Sequence, residues 1–268
     1  MKKIEVLEEA ARRVYNSVKH LPGTKESAGD FGRGAGGDIS RRIDILAEKA
    51  VLDYLREIKF SCIVLGEECG RIEISDNPDG IVIMDAVDGS TNAVRGIPFS
   101  CCSLAFASGD RLSSVTDAVI IDLYNGDLYS ASKGSGAFLN GNRITVHKET
   151  PLYFVVGLDL SGISPDSLQK LSPIISASNH IRHFGAVALE LAIFSRGLVD
   201  LFVDLREKLR ITDVAAGYLM VLEAGGLIVD RNSRPLDSDI GYEKKISFIA
   251  AANKKILDET IEKLGLRE

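Results

Sequence analysis

The sequence contains no tryptophan, only four cysteines and no apolar run that approaches the length of a membrane span. Cys62, Cys69, Cys101 and Cys102 form no C-x-x-C pair, so their spacing predicts neither a zinc site nor a disulfide framework. Reduced thiols and a cytoplasmic location are therefore expected. The N-terminus continues from Met1-Lys2-Lys3 into an amphipathic pattern, so neither a signal peptide nor a membrane association is expected.

The chain also lacks an excess of positive charge, because its 268 residues carry a formal net charge of −6. Surfaces that bind nucleic acid are strongly basic, so no nucleic-acid partner is expected. An acidic protein can still bind an anionic phosphate where metal ions supply the local positive charge. The length suits one large domain or two small ones.

The most informative stretch is Ile81–Asn92, which reads IVIMDAVDGSTN. Its four leading apolar residues predict a short buried strand, with Asp85 and Asp88 just past the strand end. Gly89-Ser90-Thr91 then offers two hydroxyls and several free backbone N–H groups. Two carboxylates, the Val87 carbonyl and these amides would suit Mg²⁺ and a phosphate together. Taken alone, the same residues could equally form an ordinary turn.

The first half of the chain is predicted to be two helices packed on an antiparallel sheet. Both helices show apolar residues at helical spacing, and Ser40 is expected to cap the second. Strand-like runs follow at 62–65, 81–84, 101–107, 115–121, 127–131 and 136–139, with hairpin signals at Asn125-Gly126 and Asn140-Gly141. The run Gly32–Gly37 contains G-x-G-x-x-G, but it follows a helix instead of a strand, so a dinucleotide site is rejected.

The second half alternates between strands and helices, which predicts α/β layering. Strands are expected at 152–158, 198–203, 227–229 and 246–251, and helices at 164–176, 186–194, 212–223 and 254–264. Near Asn142–Pro151 the pattern changes from successive strands to alternating strands and helices. This change predicts a boundary between subdomains 1–145 and 146–268.

Further acidic residues lie where they could join Asp85 and Asp88. Glu67 and Glu68 also follow a strand end, and two neighbouring strands ending side by side would bring four carboxylates together. Such a cluster is unfavourable without cations, because like charges repel. Asp213 begins a predicted helix and could point at the same place. Asp44, early in the second helix, has a surface ion pair as its alternative interpretation.

Three motifs taken together resemble the inositol monophosphatase family of Mg²⁺-dependent, lithium-sensitive phosphatases. They are Gly66-Glu67-Glu68, the stretch from Asp85 to Asn92, and Thr212-Asp213-Val-Ala-Ala-Gly217, in the family's order. Ala86 and Thr212 depart from the family's usual proline and tryptophan. The stretch Gly32–Gly37 followed by Asp38-Ile39-Ser40 and Asp44 resembles the archaeal branch, which often acts on fructose 1,6-bisphosphate and inositol 1-phosphate.

This resemblance implies an α+β fold, a layered α-β-α-β-α sandwich of the sugar phosphatase type, usually a homodimer. Residues 1–145 would carry most metal ligands, and 146–268 would carry Asp213 and substrate specificity. It also implies two or three Mg²⁺ ions, inhibition by Li⁺, and a sugar phosphate hydrolysed by in-line attack of a metal-activated water.

The resemblance assigns roles residue by residue. The implied metal ligands are Glu67, Asp85, the Val87 carbonyl, Asp88 and Asp213. The implied catalytic residues, which orient water or hold a further ion, are Asp44, Glu68 and Ser90. The implied substrate contacts are Asp88, Gly89, Ser90, Arg182, Val187 and Arg206.

Arg206 is expected to decide between substrates, because narrow inositol monophosphatases carry a glutamate at that position. A guanidinium there would suit a second phosphate. The alternative is a solvated charge within the run Arg206–Arg210. Two other functions stay open: a 3′-phosphoadenosine nucleotide phosphatase, and a regulatory protein-binding role.

Overall fold

The structure is a computed structural model that describes residues 1–29, 32–37, 40–149 and 154–266. Asp38 and Ile39 of the archaeal-type stretch, and the first two residues of the strand predicted at 152–158, lie outside the described residues.

The described chain forms seven helices, of which two central ones are buried nearly all round. The seven are α1 (Lys3–Val18), α2 (Arg42–Glu57), α3 (Ser90–Arg95), α4 (Pro165–Ala177), α5 (Val187–Ser195), α6 (Ile211–Glu223) and α7 (Lys254–Lys263). In α1 the buried residues recur every three or four positions, as a one-sided amphipathic helix requires. In α5 and α6 apolar residues surround the axis, so both must lie between other layers.

The strands form two sheets. The first has the order β2-β1-β3-β4-β5-β6-β7-β8, and its strands are β1 (Ile63–Gly66), β2 (Gly70–Glu73), β3 (Ile81–Asp88), β4 (Cys101–Ala107), β5 (Val115–Asp122), β6 (Leu128–Ser132), β7 (Gly136–Leu139) and β8 (Asn142–Ile144). The second has the order β10-β9-β11-β13-β12, and its strands are β9 (Val155–Leu158), β10 (His180–Arg182), β11 (Leu201–Leu209), β12 (Leu227–Asp230) and β13 (Ile246–Ala251).

The elements stack in five layers, as the resemblance implies. Helices α1 and α2 cover one face of the first sheet, and α5 and α6 fill the space between the sheets. Helix α7 packs against β13 of the second sheet, and α4 packs beside α7. Cys101 and Cys102 show the layering within one strand, because the first belongs to the inner core and the second to the core under α1 and α2.

Several local predictions need correction. The first sheet is mixed, because β1 and β3 run parallel. Strand β3 does not end at Met84 but continues through Asp88, with a break in its pairing to β4 between Asp85 and Asp88. Ser40 does not cap α2: the helix begins after Arg41, and the Ser40 hydroxyl donates to Glu68.

Other elements were not predicted at all or were predicted too short. Strands β2, β8 and β10 and helix α3 are each only three to six residues long, so they carry too few residues to display a period. Strand β11 runs six residues further than predicted, to Leu209, because it continues pairing with β13 beyond an irregularity after Asp204. In the described part of the chain, no helix has the length and apolar character needed to cross a membrane.

Candidate active site

The parallel pairing of β1 and β3 brings the first two acidic motifs together. Gly66 lies opposite Met84, so the next residue along each strand, Glu67 and Asp85, follows side by side. Gly66 has no room for a side chain, because a Cβ there would lie 2.7 Å from Oε1 of Glu48 and 2.9 Å from the Met84 methyl. The strand register, fixed by the buried residues of β3, therefore fixes the spacing of these two carboxylates.

The irregular end of β3 orients the next carboxylates. The backbone N–H of Val87 donates to Oδ1 of Asp85 at 3.0 Å, which folds the Asp85 side chain back along its own strand. The N–H of Ala188, at the start of α5, donates to Oδ2 of Asp88 at 2.6 Å. Breaks of this kind in strand pairing re-aim side chains, and here both aspartates line the same cleft.

Asp213 reaches the cluster from the middle layer. It lies in the first turn of α6, and its Oδ2 accepts the backbone N–H of Arg210 at 2.8 Å. Ligand atoms of Glu67, Asp85 and Asp213 lie within 4.8 Å of one another. All are carboxylate oxygens, the ligand type that hard divalent cations prefer.

Helix α2 supplies two further acids from the opposite wall. Asp44 accepts the backbone N–H of Arg41 through Oδ2 at 2.8 Å, while its buried Oδ1 has no hydrogen-bond partner in the described structure. Glu48, one helical turn later, accepts the backbone N–H groups of Glu68 and Cys69 at 2.9 and 2.8 Å. Glu48 thus holds the turn after β1 in place, a role that the sequence analysis missed, although its i+4 spacing from Asp44 was a signal for it.

The glycine-rich stretch lies on this same turn. Backbone N–H groups of Ala35 and Gly36 donate to the carbonyls of Glu68 and Glu67 at 3.2 and 2.7 Å. A Cβ on Gly34 would collide with the Glu68 carboxylate, so glycine is required for this close approach. The stretch therefore covers the acidic turn, which agrees with rejecting a dinucleotide site.

The acidic groups described above line one open cleft of about 520 Å³. Its described lining carries eight carboxyl groups, those of Asp44, Glu48, Glu67, Glu68, Asp85, Asp88, Asp159 and Asp213. It also carries four guanidinium groups, those of Arg33, Arg41, Arg206 and Arg210. If every group is ionised, four negative charges remain uncompensated, which equals the charge of two divalent cations.

Burial makes this excess of negative charge unfavourable. It raises the pKa of Asp85 well above its ordinary value, and the neighbouring Glu67 and Asp88 raise it further. Burial also raises the pKa of Asp88 to about 7, with Asp213 adding to the shift. Burial likewise raises the pKa of Asp44 to about 7, and the nearby charge of Glu68 raises it further. A bound cation would reverse these shifts, because it favours the ionised carboxylates.

The turn after β3 supplies uncharged groups beside the acids. Gly89 has a positive φ of 81°, and a Cβ there would lie 2.9 Å from the Ala186 side chain, so no other residue fits without strain. Gly89, Ser90 and Thr91 all line the cleft. Arg41 extends over the same turn, where Nη2 donates to Oγ1 of Thr91 at 3.2 Å.

Arg206 lies at the other end of the cleft and is not a solvated charge, since its side chain is only 7% exposed. Its Nη2 lies 2.6 Å from Oδ2 of Asp159 and 2.6 Å from Oδ2 of Asp204, and its Nη1 donates to the Ser161 carbonyl at 3.3 Å. His183 also contacts Asp159, at 3.3 Å. The guanidinium is therefore largely engaged by carboxylates, and Asp159 and Asp204 are site residues that sequence reasoning missed.

Of the remaining predicted substrate residues, one lines the cleft and one does not. Val187, the first residue of α5, lines the cleft. Arg182 on β10 is exposed, donates to the Ile181 carbonyl at 2.9 Å, and does not belong to the cleft lining.

Glu190, one turn into α5, is buried and accepts the backbone N–H of Gly185 at 3.1 Å. Burial raises its pKa to about 8, and Asp159 and Asp88 add to the shift.

Comparisons with known proteins identify the family of the chain. A sequence profile of the inositol monophosphatase family matches residues 2–266. The chain is 32% identical to a fructose-1,6-bisphosphatase/inositol-1-monophosphatase of Methanothermobacter thermautotrophicus, over 95% of this chain and 93% of that protein. It is 30% identical to a bifunctional NADP phosphatase/NAD kinase of Methanococcus maripaludis, over 94% of this chain but 47% of that protein.

A solved structure gives the same result for the fold. The crystal structure of an inositol monophosphatase-fructose 1,6 bisphosphatase superposes with a TM-score of 0.86 at 27% identity, covering 98% of this chain and all of that one. Sequence profile, relatives and fold agree over nearly the whole length, so the chain belongs to the inositol monophosphatase family and is a phosphatase.

Proposed function

We propose that this phosphatase requires Mg²⁺ and hydrolyses sugar phosphates, with fructose 1,6-bisphosphate and inositol 1-phosphate as substrates. The observation that carries the proposal is the position of Glu67, Asp85 and Asp213. Their ligand atoms lie within 4.8 Å of one another in a cleft that also contains the Gly89-Ser90 turn.

The residues of the cleft fit a hard divalent cation. Every candidate ligand is an oxygen, and the buried Oδ1 of Asp44 lacks a partner among the described residues. The residues that would hold the ions are Glu67, Asp85, Val87 through its carbonyl, Asp88 and Asp213. When bound, Mg²⁺ supplies Lewis-acid chemistry, which lowers the pKa of water and offsets charge on the phosphoryl group. The number of ions is proposed as two or three, and two would balance the four uncompensated negative charges of the cleft lining.

The chain's own residues would orient the reactants. We assign the reacting phosphate to the backbone N–H groups and hydroxyls of the Gly89-Ser90-Thr91 turn, where nearby Arg41 adds positive charge. Asp44 and the Ser90 hydroxyl would orient the attacking water. The ionised carboxylate of Asp44 could accept a proton from that water. Glu68 would hold water or a further ion beside them.

Substrate choice is assigned to the opposite end of the cleft. Arg206 supplies positive charge there for a second phosphate, while Asp159 supplies an acceptor for sugar hydroxyls. Because Asp204, Asp159 and the Ser161 carbonyl already engage Nε, Nη2 and Nη1 of Arg206, a phosphate would meet at most one remaining N–H group and not a bidentate fork. The role of Arg182, the homodimer, and the division at residues 145 and 146 stay predictions.

Competition between substrates tests this proposal. Purified protein is given fructose 1,6-bisphosphate, inositol 1-phosphate and NADP at matched concentrations, and released phosphate is measured while Mg²⁺ is titrated. We expect kcat/KM to be highest for the two sugar phosphates. NADP is included because one relative bears the name of an NADP phosphatase. A clear preference for NADP would replace the sugar phosphate assignment with a nucleotide one.

A further inference from the structure

Arg210 lies among the candidate metal ligands, although no cation-binding motif predicts an arginine there. Its Nη2 is 2.9 Å from Oε1 of Glu67, and its Nε is 3.5 Å from Oδ1 of Asp213. These are two of the three residues whose ligand atoms cluster. An arginine side chain does not lose its proton in proteins, so this is a permanent positive charge inside the site.

The position of Arg210 is fixed from several directions. It immediately precedes α6, its side chain is 15% exposed, and its Nη1 donates to the Gly36 carbonyl at 3.2 Å. A Cβ on Gly36 would lie 2.8 Å from Nη1, so the glycine-rich stretch leaves just enough room for the guanidinium. These contacts hold the guanidinium beside the acidic cluster.

The electrostatic reach of Arg210 extends over the whole acidic end of the cleft. Besides its two direct partners, its charge lowers the pKa of Asp85 and of Asp88, opposing the effect of burial. It is therefore a resident counter-ion for all four carboxylates proposed to bind metal.

We propose that Arg210 is a built-in competitor of divalent cations: it stabilises the acidic cluster when no ion is bound and lowers the affinity of the cluster for Mg²⁺. This inference rests on the proposed metal-dependent function. The physical reason is that a guanidinium in contact with Glu67 and Asp213 repels a cation held by the same carboxylates. Groups beside metal ligands commonly change metal affinity by about 10- to 100-fold, and like charges at such short distances belong at the upper end.

The proposal predicts two opposite effects of removing the charge. Arg210→Met should lower the melting temperature measured with a chelator, because the carboxylates lose their counter-ion. The same substitution should strengthen Mg²⁺ binding about tenfold or more, because the repulsion is gone. A residue that merely positioned the ligands would weaken binding when removed, so the direction of the change separates the two roles.

The experiment measures the Kd for Mg²⁺ by calorimetry and the melting temperature with chelator and with Mg²⁺, without substrate. Arg210→Lys keeps the charge and should bind Mg²⁺ within about threefold of the unaltered protein. Arg111→Met is the matched control, because it makes the same change in net charge at an arginine that pairs with Asp237 and Asp239 outside the cleft. It should leave the Kd unchanged.

The possible outcomes distinguish failure of the inference from failure of the proposed function. If the unaltered protein binds no Mg²⁺, the proposed function fails and the inference fails with it. If it binds Mg²⁺ but Arg210→Met binds no more tightly, only the role of Arg210 is overturned. If Arg111→Met binds Mg²⁺ more tightly by the same factor, that role is also overturned, because the change in affinity would then follow from net charge alone. If Arg210→Met does not fold in chelator, Arg210→Gln replaces it in the experiment. If Mg²⁺ restores the folding of neither variant, the proposal is contradicted.

Discussion

The backbone N–H of Ala188 donates a hydrogen bond to Oδ2 of Asp88 across 2.6 Å. Ala188 lies in the first turn of a central helix of the second half of the chain, and Asp88 ends the strand that carries the acidic motif of the first half. The orientation of a candidate metal ligand therefore depends on how a distant segment docks. Asn92 reinforces the same docking, since its Nδ2 donates to the carbonyls of Phe184 and Phe99 at 2.7 and 2.8 Å.

We predict that Asn92→Ala loosens this docking. Two carbonyls in a largely buried place would lose their donor, which costs about 1–3 kcal/mol of unfolding free energy. The segment before Ala188 would shift with them, so KM for any substrate should rise more than kcat falls. Urea unfolding and steady-state kinetics measure both effects. Asn16→Ala, at an exposed position on α1, is the control and should leave both unchanged.

We predict that Asp44→Asn lowers kcat far more than it raises KM, by about 10²-fold, a typical loss for a misplaced catalytic group. Asparagine keeps the shape of the side chain but cannot accept a proton. Asp53→Asn is the control on the same helix, because Asp53 is exposed and pairs with Lys49 at the protein surface. A variant at Asp44 that changes the melting temperature but not kcat would mean that this carboxyl supports the fold and not catalysis.

Arg206 and Asp159 should shift the preference between substrates in opposite directions. Arg206→Ala removes positive charge and should lower kcat/KM for fructose 1,6-bisphosphate about 10- to 150-fold, with a smaller effect on inositol 1-phosphate. Asp159→Asn removes a negative charge that opposes a second phosphate, so it should favour the bisphosphate.

The comparison is made well below the melting temperature, because Arg206→Ala leaves two buried carboxylates without their partner and should destabilise the fold. Arg206→Lys should recover part of the lost activity. Equal changes for both substrates in all three variants would mean that the pair supports the fold and does not select the substrate.

The buried carboxyl of Glu190 should make stability depend on pH. Its pKa rises from an ordinary value of 4.5 to about 8 in the folded protein, so the folded state retains a proton that the unfolded state releases. The stabilising contribution is complete below about pH 4.5 and is lost as pH rises through 8. We predict that Glu190→Gln, which keeps an acceptor for the Gly185 N–H, gains stability relative to the unaltered protein between pH 6 and pH 9. Urea unfolding in chelator at pH 6 and pH 9 measures the free energy of unfolding of both proteins. An equal difference in that free energy at the two pH values would contradict the prediction.

The sequence predicted the fold well where motifs or periodicity spanned many residues. The long amphipathic helices and the strands of the first sheet lie close to their predicted positions, and the layered architecture followed from the family resemblance. Six of the eight acidic residues of the cleft lining were among the predicted site residues, because strand ends and motif spacing point to them, whereas Glu48 and Asp159 were missed. Short elements such as β10 were missed, because three residues carry no period.

What escaped prediction depends on contacts between distant parts of the chain. The isolated sequence around Arg206 reads as a solvated charge run, yet Asp159 and Asp204 bury it by pairing from another strand end and from its own strand. Arg210 is similar, because its partner Glu67 is far away along the chain. Ser40 looked like a helix cap from local pattern alone, but the folded protein directs its hydroxyl to Glu68. Such pairings follow from packing and not from local propensity.

The central claim is that the cluster of Glu67, Asp85 and Asp213 binds the Mg²⁺ on which phosphate release depends. The most direct test measures release from fructose 1,6-bisphosphate against Mg²⁺ concentration for the unaltered protein, Asp213→Asn and the surface control Asp237→Asn. We predict no release in chelator, saturable activation by Mg²⁺ in the unaltered protein and the control, and loss of most activity in Asp213→Asn even at saturating Mg²⁺. Release that persists in chelator, or near-normal turnover in Asp213→Asn, would contradict the account.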